Sequence, residues 1–262
     1  SLMDHVVMYS GGIGSWAAAK RVAEWYGPDR VVLLFADTRM EDPDLYRFIE
    51  EGAEDIGAKL VKVAEGRDPW EVFKDKRFLG NSRIDPCSLI LKRKFLRRWL
   101  EDRYEPDEVV VHLGIDIEEE HRFRRAQRYW EPYTMRAPLI ERPTIFKFQV
   151  REMLKDAGIR IPRLYELGFP HNNCGGFCIK AGLSHFHHLL KMLPDRFAYH
   201  EAKEQEMREY LDRPVTILRE TRHGEKVGIT LRELRERAEA APEQIDLFDW
   251  GGCGCFGGEE DG

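Results

Sequence analysis

The chain alternates short apolar runs with segments whose apolar residues recur at helical spacing. From His5 to Tyr9 the residues are mostly apolar and the run ends in Ser10-Gly11-Gly12, after which Ser15 to Trp25 carries Ala, Val and Trp three and four residues apart. That order predicts strand, loop, helix. Val31 to Ala36 is a second buried-strand pattern, closed by Asp37-Thr38. A helix is predicted from about Pro43, because proline suits a first helical turn. Lys59 to Ala64 reads as a third strand, and Val109 to Leu113 as a further one that ends at Gly114-Ile115-Asp116. Leu89 to Tyr104 is predicted helical, with Lys92, Arg93, Lys94, Arg97 and Arg98 along one side. Another helix is predicted from near Phe146 to Ala157, with Gly158 just past its end. Strands alternating with helices in this way predict an α/β fold, a Rossmann-like parallel sheet wrapped by helices through right-handed crossovers.

Beyond Gly158 the pattern becomes turn-rich and contains Cys and His, and a strongly charged helical stretch follows from Pro194 to Leu211. The expected organisation is a nucleotide-binding domain over 3–158, a Cys/His-containing helical region over 159–250, and a flexible, glycine-rich, acidic tail over 251–262. Ser1-Leu2 ahead of Met3 reads as an expression remnant and is left out of the fold argument. Hydrophobic residues at 42% and charged residues at 34% fit a soluble globular chain and exclude an extensively disordered one. A net charge of -6 disfavours unselective adhesion to nucleic acid but leaves room for a local basic groove. No apolar run reaches the length of a membrane span and the first strand begins almost at the N-terminus, so a cytoplasmic protein without membrane contact is expected. The five cysteines, Cys87, Cys174, Cys178, Cys253 and Cys255, suit a reduced compartment better than a disulfide framework.

The chemistry starts at the first loop. A glycine-rich turn between a buried strand and a helix sets backbone N–H groups at the positive end of the helix dipole, where they bind phosphate oxygens without side-chain charge. Ser10, Gly11, Gly12, Gly14 and Ser15 form that turn, and the two serines add hydroxyl donors. The Walker A ending Gly-Lys-Ser/Thr and the all-glycine dinucleotide pattern G-x-G-x-x-G are both absent. Asp37, just past the second strand, stands where ligands of open α/β sheets bind and could contact ribose or Mg²⁺, or cap the following turn. Gly114 and Asp116 end a strand on the same edge.

Ser10-Gly11-Gly12-Ile13-Gly14-Ser15 resembles the S-G-G-x-x-S signature of the PP-loop, or adenine nucleotide alpha hydrolase, superfamily. Phe35-Ala36-Asp37-Thr38, Cys87-Ser88 followed by Leu91-Lys92-Arg93, Pro138-Leu139-Ile140, and Leu164 to Phe169 ahead of Cys174 resemble, in order, landmarks of its phosphoadenosine phosphosulfate (PAPS) reductase branch. The resemblance spans roughly residues 4 to 180. It implies a Rossmann-like sheet, chemistry at the α-phosphate of an adenine nucleotide, pyrophosphate held by the loop with Mg²⁺ when ATP is the substrate, and Gly114 lining the nucleotide. It also implies that Lys92 and Arg93 meet substrate phosphate. The second cationic stretch, which includes Arg122 and Arg125, could serve the same end or meet an RNA or DNA acceptor.

Cys174-Gly175-Gly176-Phe177-Cys178 puts two thiols on one turn, and Cys87 could add a third. Three cysteines leave one corner of a 4Fe-4S cluster open, as in tRNA-thiolating PP-loop enzymes, although those relatives space the pair as C-x-x-C. Zn²⁺ bound with His171, His185, His187 or His188 is the alternative, and inert core cysteines a third reading. Cys253 and Cys255 could reach an active site from the tail as redox thiols. The reductases carry their redox cysteine in an E-C-G-[IL]-H setting, where this chain has G-G-C-G-C-F. Three functions compete: ATP-dependent activation of an acceptor for sulfur transfer, with catalytic Cys87; PAPS or adenylyl-sulfate reduction by Cys253 or Cys255; and a nucleotide sensor without turnover. The partners expected are a small-molecule nucleotide, an RNA or DNA acceptor, a thiol or sulfur donor protein, and a second copy in a homodimer.

Overall fold

A computed structural model describes residues 3–81 and 83–241. Cys253, Cys255 and the rest of the expected tail lie outside the described residues. Five parallel strands form one sheet: β1 (Asp4–Met8), β2 (Val31–Ala36), β3 (Lys59–Val63), β4 (Val109–His112) and β5 (Thr134–Arg136), in the order β3-β2-β1-β4-β5. The parallel registers run through His5↔Val31, Leu33↔Leu60, His5↔Val110 and Val111↔Met135. β5 escapes the sequence pattern because three residues are too short to show a period.

Local signals set the helices that follow. α1 (Ile13–Tyr26) begins directly after Gly12. α2 (Pro43–Ile56) has proline in its first turn, Asp42 as N-cap and Gly57 in the left-handed conformation at its end. α3 (Pro69–Lys76) carries an Asp68/Glu71 capping box. The basic helix predicted over 89–104 has three parts: α4 (Pro86–Ser88), a π-helical segment over Leu89–Lys94, and α5 (Phe95–Glu101). Its basic side is not a solvated face throughout, since Lys92 and Arg93 are only 3% and 4% exposed. The wider i→i+5 turn rotates these residues inward, and such turns cluster at functional sites. Next come α6 (Glu120–Trp130) and α7 (Lys147–Ala157), with Gly158 left-handed at the latter's end as predicted.

Beyond residue 158 lie α8 (Arg163–Glu166), α9 (Leu183–Met192), α10 (Pro194–Leu211), the antiparallel hairpin β6 (Leu218–Arg222) and β7 (Glu225–Ile229), and α11 (Leu231–Ala240). The hairpin interrupts what the sequence suggests is helical. Its strands are mostly charged and exposed, so they show no apolar alternation, and only the positive φ of His223 and Gly224 marks the turn.

One core packs α1, α2 and α7 on one face of the sheet through Trp16, Val22, Phe48, Val150 and Leu154. A second packs α5 and α6 on the other face through Leu96, Leu100, Ala126 and Trp130. A third joins Trp70, Phe73 and Leu91 to residues between 164 and 234. No helix among the described residues is long and apolar enough to cross a membrane.

Glu204 on α10 is 1% exposed and ties the C-terminal elements together. Its carboxylate accepts from the amides of Leu231 at 2.7 Å and Ile217 at 3.1 Å. Burial outweighs those two bonds and pushes its pKa from 4.5 to about 7. The charged form is therefore less favourable in the folded chain than in the unfolded one. This contribution to stability is full below pH 4.5 and falls away as pH rises through 7, by on the order of 3 kcal/mol. Denaturant midpoints taken at pH 5 and pH 7.5 should show that decline, and Glu204→Gln should flatten it. Equal declines in the parent and the variant would refute the assignment.

Candidate functional site

The strand order reverses between β1 and β4: the chain leaves β1 toward β2 on one side and β4 lies on the other. Loops leaving the carboxyl ends of two such strands diverge and open a crevice. A cleft of about 310 Å³ lies there, with Ser10, Gly12, Ile13, Gly14 and Ser15 from the first loop and Leu113 to Asp116 from the loop after β4 among its lining residues.

The two loops touch through backbone. A methyl carbon built on Gly14 would stand 2.8 Å from the carbonyl oxygen of Gly114, and one on Gly114 would stand 2.5 Å from the Ser15 nitrogen. Gly114 thus lines the cleft and also permits this contact. Within the first loop, Ser10 Oγ accepts from the Gly12 amide, and Ser15 Oγ donates to the Gly12 carbonyl at 2.9 Å. Gly11 has φ of +89°, and its carbonyl accepts from Asn172 Nδ2 at 2.9 Å. The Ile13 amide donates to the hydroxyl of Tyr165 at 3.3 Å. The amides of Gly14 and Ser15 meet no acceptor among the described residues. They stand at the positive end of α1, and the phenolic oxygen on Ile13 occupies a position that suits an anion's oxygen. Burial pushes the Tyr165 hydroxyl up in pKa, so it keeps its proton.

Three cations line the same cleft. Arg122 starts the stripe of α6 whose later members, Ala126 and Trp130, are buried. Lys147 and Arg151 lie on α7 beside the buried Val150 and Leu154. Arg122 pairs with Glu119 at 2.9 Å, and Lys147 with Glu118 at 2.9 Å and Asp116 at 3.6 Å. Arg151 lies over the Tyr165 ring, 5.9 Å from its centroid. The sequence reading missed Lys147 and Arg151. Their spacing of four on a predicted helix was the available signal, but nothing local says that this helix packs beside α1.

Of the other residues singled out from sequence, Asp37 is not among those lining the cleft. Its carboxylate accepts from the Arg39 amide at 2.8 Å and from the Tyr46 hydroxyl at 2.7 Å. Arg93 lies over the Tyr129 ring at 5.7 Å, and Arg125 sits half-buried on α6 outside the cleft lining. Lys92 faces a different cavity.

That cavity gathers all three described cysteines. It measures about 20 Å³ and is lined by Cys87, Cys174 and Cys178 with Asp85 and Lys92. The Cys87 thiol donates to Asp85 Oδ1 at 2.6 Å. Cys174 has φ of +53°, and its amide donates to Glu41 at 2.6 Å. Burial pushes the Glu41 carboxyl up in pKa, with the Lys92 charge opposing. Cys174 and Cys178 also wall a second cavity of about 20 Å³ with His171 and His185. Pro170, His171 and Asn173 line both that cavity and the larger cleft. One short segment therefore separates cleft from thiols.

His185 and His188 are committed to the carbonyls of Gly176 and Leu167, each at 2.6 Å. His187 lies on α9, outside both cavity linings. Among the described residues no three His, Cys, Asp or Glu side chains are gathered closely enough to hold a metal ion. The space between the cysteines is that of about one water.

No protein-family model matches the chain, and no curated protein matches it. Among solved structures, it is similar to a phosphoadenylyl-sulfate (PAPS) reductase from Candida auris, described as a phosphate complex. The identity is 17% over 64% of this chain and 80% of that one, with a TM-score of 0.46.

Proposed function

We propose that the cleft binds ATP and that the protein cleaves it at the α-phosphate, activating an acceptor for sulfur transfer. The observation that carries this reading is the set of open amides at the start of α1, at the point where the strand order reverses, facing a cleft of nucleotide size. Phosphate oxygens replace the Tyr165 oxygen on Ile13 and take the amides of Gly14 and Ser15. The tyrosine hydroxyl keeps its proton and can donate it to the same phosphates. Arg122, Lys147 and Arg151 supply positive charge where the pyrophosphate leaving group gains negative charge, so catalysis is electrostatic and requires no protein nucleophile. Mg²⁺ arrives on the phosphates as part of the substrate.

In the first step an acceptor oxygen bonds to the α-phosphorus and pyrophosphate leaves. In the second, the outer sulfur of a cysteine persulfide bonds to the activated acceptor atom and AMP leaves with the oxygen; a second thiol then attacks the carrier cysteine's sulfur, releasing the thiolated acceptor and leaving a disulfide that an external thiol reduces. The wall of residues 170–178, shared by cleft and cysteine cavities, supports Cys174 or Cys178 as the local sulfur carrier, in persulfide form supplied by a donor protein. Incubating the full chain with Mg-ATP, an RNA or small-molecule acceptor, a persulfide donor and a reducing thiol should give AMP and pyrophosphate in equal amounts, followed by chromatography and a pyrophosphatase-coupled assay. Formation of ADP and phosphate instead, or no pyrophosphate with any acceptor, would sink the proposal.

A further inference from the structure

We infer that Asn172 and Asn173 read the ribose hydroxyls of the nucleotide in the cleft, a specificity role that rests on the nucleotide reading above. The floor of the cleft offers donors: the Gly14 and Ser15 amides and three cationic side chains. Its wall offers the opposite. The side-chain oxygens of Asn172 and Asn173 are shielded from water and meet no donor among the described residues, and both residues line the cleft.

Asn172 is 1% exposed. Its orientation is fixed, because Nδ2 donates to the Gly11 carbonyl and a flipped amide would set oxygen against oxygen. Asn173 is held next to it by its own carbonyl, which accepts from the Gly176 amide at 3.2 Å.

A buried acceptor left without a donor costs about 1–3 kcal/mol. The α- and β-phosphates of a nucleotide cannot supply that donor at neutral pH, because they carry no proton, and the terminal phosphate has mostly lost its own. The group that can is a hydroxyl or amine elsewhere on the ligand. Asn172 is bonded to the phosphate loop itself, and the ribose follows the α-phosphate by a single ester link, so the sugar hydroxyls are the donors nearest this wall. The ligand that satisfies both surfaces is a ribonucleotide, with phosphates on the floor and sugar against the asparagines.

Calorimetric titration of the full chain with ATP, 2′,3′-dideoxy-ATP and inorganic tripolyphosphate tests this directly. The parent chain should bind ATP at least about tenfold more tightly than the dideoxy analogue, which corresponds to one hydrogen bond lost to an orphaned acceptor. In Asn173→Ala that ratio should fall toward one while tripolyphosphate binds as it does to the parent; in Asn172→Ala the ratio should fall likewise, with tripolyphosphate weakened too by loss of the bond to Gly11. A uniformly loosened site would weaken all three ligands and leave the ratio unchanged. Asn173→Ala carries the test by itself if loss of the Asn172 contact to Gly11 prevents folding, since the Asn173 side chain makes no hydrogen bond among the described residues. Equal affinity of the parent for ATP and the dideoxy analogue, or a ratio retained in the variants, overturns the inference alone. Failure of the parent to bind ATP overturns the proposed function and this inference with it.

Discussion

Gly114→Ala is expected to lower the melting temperature by several degrees and to weaken ATP binding on the order of 100-fold. The added methyl would lie 2.5 Å from the Ser15 nitrogen, 2.6 Å from its Cα and 2.7 Å from the Gly14 carbonyl carbon. All three are backbone atoms, so no side chain can turn away to make room. Relief requires the loop after β4 to part from the start of α1, and α1 is anchored by the fully buried Trp16, Ala17 and Ala18. Overpacking of a fixed backbone contact costs about 1–3 kcal/mol. The same separation would move the Gly14 and Ser15 amides relative to the other wall of the cleft.

Gly12→Ala provides the contrast. Its methyl would meet only the Tyr165 and Ser10 hydroxyls, at 3.4 and 3.5 Å, which are ordinary contacts. It should leave the melting temperature within about a degree, because substitutions without a clash or cavity shift stability by only about 0.5 kcal/mol. Differential scanning calorimetry and ATP titration of the two variants side by side check both statements. A Gly114→Ala protein with parental melting and affinity would mean that the two loops do not meet as described.

Asp42→Ala should destabilise the chain by about 3–5 kcal/mol, the usual consequence of removing one partner from a buried ion cluster. Asp42 is fully buried. It caps α2 through the Asp44 amide, accepts from Arg163 Nε at 2.8 Å and from a second nitrogen of that guanidinium, and accepts from Arg196 at 3.0 Å. Arg196 in turn donates to the Gly175 carbonyl at 2.6 Å. One carboxylate thus fastens the end of the β2 loop to α8, to α10 and to the cysteine turn. The segment between them carries Tyr165 and Asn172 to Ile13 and Gly11 of the first loop, so on the proposed function ATP affinity should fall as well.

Burial by itself would raise the Asp42 pKa, but the hydrogen bonds and charges of the two arginines outweigh it and leave it lowered. The stabilisation is therefore present above pH 3.8 and is lost as pH falls through the lower folded value. Chemical denaturation of parent and variant between pH 3 and 7 should show the difference between them shrinking in acid. A difference below about 1 kcal/mol at pH 7 would place this cluster among the weak surface pairs instead.

Much of the sheet and its first helices can be read from local pattern. The run from His5 to Tyr9, the glycine turn and the helix behind it lie where the periodicity puts them, as do the start of α2 at Pro43 and the end of α7 at Gly158. Each is set by residues within a few positions of one another: apolar period, a proline in a first turn, a glycine that tolerates positive φ. Lys92 and Arg93 show where that reading stops. On an ordinary helix they belong to a basic, solvated side, but in the π-helical segment both are buried, Arg93 over the Tyr129 ring and Lys92 facing the cysteines.

Local pattern is enough to read an α/β chain with a glycine-rich turn at the head of its first helix, because strand, turn and helix N-terminus are contiguous. Tertiary structure decided what surrounds that turn. It brought Cys87 to Cys174 and Cys178 across 87 and 91 positions of the chain, set Lys147 and Arg151 beside α1, and put Asn172 on the Gly11 carbonyl. Those neighbours follow from which faces pack together and from the reversal of strand order between β1 and β4. Neither leaves a periodic trace in the residues involved.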